Sequence, residues 1–114
     1  MANQERKIQR YGQILRLKPG KRDDYVRYHA NIWPEVAQAI RDGNIRNYSV
    51  FLKDDILFAY FEYVGNDLKT DWDRMVANPK MKEWWAIMQP MQEPVPTRAE
   101  GEWWAIMQEA YHQD

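Results

Sequence analysis

The chain has 114 residues, 16 basic and 17 acidic side chains, a net charge of -1 and no cysteine. That length fits one domain, and the balanced charge supplies no long-range field to draw in a nucleic-acid backbone or an anionic membrane. Without cysteine, disulfides, thiolate catalysis and cysteine-based zinc sites are all excluded.

Residues 1–6 are polar and charged and read as a flexible N-terminal extension of a single 1–114 domain. No apolar run reaches the roughly 18 residues of a membrane span, so the expectation is a cytoplasmic protein that is neither exported nor anchored. From Ile8 to Leu17, Tyr11, Leu15 and Leu17 alternate with Arg10 and Arg16, which predicts a first strand. After Pro19-Gly20, the spacing of Tyr25, Tyr28, His29 and Ile32 predicts a helix. Trp33 precedes a proline and marks a break, and Pro34 restarts a turn that ends at Gly43-Asn44.

Ile45–Leu52 and Ile56–Val64 are rich in β-branched and aromatic residues and flank Lys53-Asp54-Asp55, the pattern of a hairpin. Leu68, Trp72, Met75 and Val76 predict a second helix, interrupted at Asn78-Pro79 and resumed through Met81, Trp84, Trp85 and Met88. Pro90, Pro94 and Pro96 argue against regular structure, and 109–112 is expected to be a closing strand.

The resulting β-α-β-β-α-β order is that of a ferredoxin-like split βαβ domain of the α+β class, with both helices on one sheet face. Phe58 and Tyr60 alternate with Leu57 and Phe61, so the other face is apolar too. Face-to-face homodimerisation would cover it, and two such sheets are expected to enclose a cavity for a small ligand. Glu83–Gln89 recurs letter for letter as Glu102–Gln108, although the first copy continues a helical stripe and the second follows a proline-rich loop.

Six tryptophans and seven tyrosines exceed what a core of this size accommodates with every N–H and O–H satisfied, so some should meet a ligand or a partner. Tyr25 and His29 stand one helical turn apart on the same face, with Trp33 continuing the line. Histidine suits proton transfer near neutral pH, and a surface histidine on an amphipathic helix is the plainer alternative. Tyr48 shares a strand face with Val50 and Leu52, where it is either an orienting phenol or a core tyrosine. The pairs Trp84-Trp85 and Trp103-Trp104 each point two indoles in different directions, toward a ligand or into the core. His112 reads as structural or exposed. There is no phosphate-binding glycine loop, nucleophile elbow or paired-histidine metal motif.

Taken together, Tyr25-x-x-Tyr28-His29-x-x-Ile32-Trp33-Pro34-Glu35, Ile45–Ser49, Leu57–Glu62 and Trp84-Trp85-x-x-Met88 resemble the L-rhamnose mutarotase family. The resemblance runs in order from Arg10 to His112. It implies a dimeric α+β barrel that interconverts the α and β anomers of a 6-deoxy-L-sugar without metal or cofactor. It further implies that His29 is the proton donor and that Tyr25, Tyr48, Trp84 and Trp85 contact the monosaccharide. His29 is then expected to protonate the ring oxygen on opening and to act as base on closing. The proline-rich C-terminal third departs from the family pattern, which leaves L-fucose as an alternative substrate. A cofactor-free monooxygenase on the same fold and a non-catalytic sugar-binding module are the competing readings.

Overall fold

The computed structural model describes residues 7–114, so the extension expected over 1–6 lies outside the described residues. The elements are β1 (Gln9–Leu17), α1 (Arg22–Ala30), α2 (Pro34–Asp42), β2 (Ile45–Lys53), β3 (Ile56–Tyr63), α3 (Leu68–Val76) and α4 (Pro79–Met88). A single 3-10 turn, Gln89–Met91, leads into β4 (Gln92–Glu93), and β5 (Ala105–Met107) follows a loop.

Local chemistry accounts for the breaks. Trp33 is held extended (φ -67°, ψ 135°) ahead of Pro34, which takes the first turn of α2. Asn78 is likewise extended and caps α4, its side-chain oxygen accepting from the backbone N–H of Lys80 and Met81. Asp67 caps α3 through the N–H of Thr70. The hairpin between β2 and β3 turns on Asp54 and Asp55, both at positive φ (51° and 62°), as a two-residue turn with the right twist requires.

The sheet order is β2-β3-β1-β4, and β5 also pairs with β1. All pairings are antiparallel. β4 meets Arg16 and Leu17 while β5 meets Gly12 to Ile14. Two short segments thus share the place a single fourth strand holds in a ferredoxin-like sheet.

This corrects the closing strand expected at 109–112, which has no regular structure. Glu109 is engaged through its side chain instead, by a bidentate pair with Arg10. It also corrects the prolines' reach. Gln92 and Glu93 lie between Pro90 and Pro94 and pair with the end of β1.

Leu15, Leu57 and Ala59 are fully withdrawn from water on the helix-bearing face of the sheet, against Val36, Met81 and Met88 from the helices. Each buried leucine contributes roughly 1.5–3 kcal/mol. At one end of the sheet, Asp71 accepts hydrogen bonds from Tyr63 (2.5 Å), Asn44 (2.9 Å) and Arg74 (2.7 Å), fastening α3 to β3. Gly65 passes so close that an added Cβ would collide with the Tyr63 hydroxyl and the Asp71 carboxylate. The opposite sheet face carries Phe51, Phe58 and Met107, with Phe51 60% exposed. Among the described residues no helix is long and apolar enough to cross a membrane.

Candidate active site

A cavity of about 720 Å³ lies between the helix-bearing sheet face and the helices of one chain. Within one chain, the helices together with the C-terminal residues Gln92, Trp103 and Trp104 wall this cavity. The volume falls within the about 300–1,000 Å³ typical of small-molecule sites. A shallower depression of about 510 Å³ beside Arg41 and Arg46 shares Tyr48, Ile40 and Ile45 with its wall.

All five sequence-predicted residues, Tyr25, His29, Tyr48, Trp84 and Trp85, line the larger cavity. Their convergence has local causes. The i, i+4 spacing on α1 stacks Tyr25 and His29, with ring centroids 4.3 Å apart and planes inclined by 26°. Trp84, in the middle of α4, meets the imidazole edge-on at 5.4 Å. Trp33 does not flank the histidine as its spacing implied. The break before Pro34 turns its ring onto Trp84 instead, at 5.2 Å. Thus the imidazole sits between Tyr25 and Trp84.

Tyr48 reaches the cavity through a β-bulge. Asn47 takes a positive φ of 51°, and the register of β2 against β3 shifts between Arg46 and Ser49. The shift lets Arg46 pair with Glu62 on the outer face while Tyr48 shares the cavity wall with Val50 and Leu52. Its ring meets Phe61 edge-on at 6.2 Å. Although 41% of the residue is open to solvent, its phenol is crowded by the concave wall, and that desolvation, with Tyr25 nearby, raises its pKa.

His29 Nδ1 lies 2.9 Å from the carbonyl oxygen of Tyr25. A carbonyl only accepts, so Nδ1 carries the hydrogen and Nε2 holds the lone pair of the neutral ring. Burial lowers the His29 pKa below 6.5, and the bond to the Tyr25 carbonyl opposes that shift only in part. The resting imidazole is neutral at pH 7. Burial pushes the Tyr25 phenol up to about 12, so it remains a hydroxyl at the same pH.

Among the described residues, no acidic or basic side chain other than His29 lines the cavity. Its polar groups are three glutamines, two phenols, the imidazole and indole N–H groups, a set suited to a neutral hydroxylated ligand. Among the described residues no cluster of three or more His, Cys, Asp or Glu could hold a metal. Reading the sequence missed several members of the wall. Trp72, tilted against Trp85 at 5.8 Å, was legible only as part of a core-facing helical stripe. Gln13 and Gln92 carried no spacing signal at all, whereas the sequence points the Trp103-Trp104 pair toward a ligand or into the core. The repeated heptapeptide is helical in its first copy and a turn leading into β5 in its second.

The family model described as L-rhamnose mutarotase matches residues 10–113. An L-rhamnose mutarotase of Listeria monocytogenes is 32% identical over 81% of this chain and 88% of its own length. One from Phocaeicola vulgatus is 34% identical over 86% and 91%, and one from Burkholderia cenocepacia is 42% identical over 65% and 70%. In fold, the chain is similar to an L-rhamnose mutarotase crystal structure from Formosa agariphila, with a TM-score of 0.70, 24% identity and coverage of 93% and 99%. A NIPSNAP family protein from Agrobacterium tumefaciens shares the fold at a TM-score of 0.63 and 12% identity, covering 82% and 83%, so the fold alone does not separate activities. The sequence match over nearly its whole length does, and the chain belongs to the L-rhamnose mutarotase family.

Proposed function

We propose that this chain is a mutarotase that interconverts the α and β anomers of L-rhamnose in the His29 cavity. The observation that carries the reading is an imidazole held through Nδ1 by the Tyr25 carbonyl and stacked on the Tyr25 phenol, inside an aromatic pocket that no carboxylate, lysine or arginine of the described residues lines.

As the C1–O5 bond breaks, the O1 proton passes to His29 Nε2, the O1 electron pair forms the carbonyl, and the ring oxygen takes a proton from the Tyr25 hydroxyl. Rotation about C1–C2 presents the other carbonyl face. On closure O5 returns its proton to Tyr25 while His29 returns one to O1, so no net proton is gained or lost. The neutral resting form thus favours His29 as base on opening and acid on closing, the reverse of the order first expected. Tyr48 orients sugar hydroxyls, and Trp84 and Trp85 hold the apolar sugar face. Dry aromatic wall favours a C6 methyl, whereas a C6 hydroxyl there would be left unpaired.

The C-terminal third, which the family model also matches, contributes Gln92, Trp103 and Trp104 to the wall. L-fucose, another 6-deoxy-L-hexose, is the second reading. The outer apolar sheet face supports a homodimer, and a cysteine-free chain suits a reducing cytoplasm.

Saturation transfer between the anomeric proton signals of L-rhamnose and of L-fucose tests the proposal. Faster exchange on rhamnose is expected. Acceleration of fucose alone would move the assignment to the second reading, and exchange at the uncatalysed rate on both would sink it.

A further inference from the structure

Outside the five expected residues, two buried polar side chains, Gln13 and Gln92, line the same cavity. Gln92 is 5% exposed, and its two amide ends meet different partners. Trp103 Nε1 donates to its oxygen at 2.8 Å, and its Nε2 donates to the Tyr25 hydroxyl oxygen at 3.1 Å. An indole N–H can only donate, so Trp103 dictates which end of the amide is oxygen and leaves the NH2 facing Tyr25. Tyr25 therefore receives a hydrogen bond at its oxygen, and among the described residues no acceptor takes its own proton.

We infer that Gln92, oriented by Trp103, is a positioning residue that holds the Tyr25 hydroxyl as a hydrogen-bond donor toward the sugar ring oxygen. The inference rests on reading the cavity as the mutarotase site and deepens it. Gln92 need not touch the reacting atoms. An amide that donated nothing, or a group that accepted the phenolic proton, would turn that proton away from the substrate. The chain supplies the device from two places without spacing in common: β4, at the end of β1, and the turn before β5. Trp103 is 37% exposed and forms the outer link, whereas Gln92 is buried.

The test is a double-mutant cycle on the full chain, followed by saturation transfer on whichever 6-deoxy sugar the wild type turns over. Gln92→Met keeps the volume and removes the amide. It is expected to lower kcat about five- to tenfold with KM nearly unchanged, the scale of one lost hydrogen bond. In a Tyr25→Phe background the same change should cost less than about twofold, because no phenolic proton remains to orient. Gln92→Glu should be at least as slow as Gln92→Met, since its carboxylate can accept the Tyr25 proton. Trp103→Phe keeps an aromatic ring but frees the amide to flip and should reproduce part of the loss. Equal losses with and without the Tyr25 hydroxyl, or a Gln92→Met enzyme matching wild type, would overturn the inference while leaving the mutarotase assignment standing. Should wild type accelerate neither sugar, that assignment falls, and titration of 13C-labelled Tyr25 decides the positioning claim alone. The Tyr25 midpoint moves upward in Gln92→Met if the amide donates to it and stays in place if it does not.

Discussion

The backbone carbonyl of Tyr25 holds the imidazole of His29, one helical turn later, by its Nδ1 at 2.9 Å, while the two side-chain rings stack at 4.3 Å. One residue thus fixes the tautomer, the ring orientation and one wall of the site. Removing the imidazole by His29→Ala should slow anomer exchange on the order of a hundredfold or more, read by saturation transfer. A variant matching wild type would end the proton-transfer role.

The lowered His29 pKa sets a pH dependence. Neutral His29 is the active base on opening, so kcat/KM should hold at neutral pH and fall on the acid side with a midpoint below 6.5. The folded pKa lies below the unfolded one, so the unfolded chain binds more protons across that window. The stability contribution is complete above 6.5 and is lost as pH falls through the folded value. Comparing denaturation midpoints of wild type and His29→Gln from neutral to mildly acidic pH should show a steeper decline for wild type.

The two neighbouring indoles should separate by phenotype. Trp84 is 5% exposed and its ring meets Tyr28, His29 and Trp33, so Trp84→Ala should cost about 3–5 kcal/mol in denaturant unfolding. Trp85 is half-buried against Trp72. Trp85→Ala should leave more of the stability and weaken sugar binding about three- to tenfold, measured by NMR titration. The opposite pattern would reverse their assigned roles.

Asp71 should show an acid-dependent stability term. The hydrogen bonds from Tyr63 and Asn44, with Arg74 adding charge, hold its carboxyl below the ordinary 3.8. Its stabilisation is present above 3.8 and lost as pH falls through the lowered folded value. Tyr63→Phe should cost about 1–3 kcal/mol near neutral pH by leaving Asp71 short of a donor, and Asp71→Asn should flatten the acid limb of the stability curve. Both are read by urea unfolding at stepped pH.

The outer sheet face offers a test of association. Phe51 and Phe58 lie together there, with centroids 6.1 Å apart, and neither lines the cavity. If this face joins two copies, wild type should sediment at twice the chain mass, and Phe51→Lys should shift it toward one chain. A wild type that sediments as a single chain would remove the dimer from the proposal.

Periodicity and proline placement by themselves determined most of the elements. Pre-proline geometry breaks the helices at Trp33 and Asn78 in any context, and the alternation in β1 and β3 survives because one face of each strand must be buried. The i, i+4 relation, being local, set Tyr25 and His29 on one helix face, and the family resemblance pointed to Tyr48, Trp84 and Trp85; the fold brings all five to one cavity. What only the tertiary structure decided depends on contacts between distant segments. It replaced the expected strand at 109–112 with two short strands on β1, because pairing is settled by which edge is free rather than by local propensity. It put the cavity under the helices of one chain and turned Trp33 away from His29. It also brought Gln92 and Trp103 to Tyr25, 67 residues before Gln92, a relation no periodicity encodes because hydrogen bonds between side chains form only once the chain has folded.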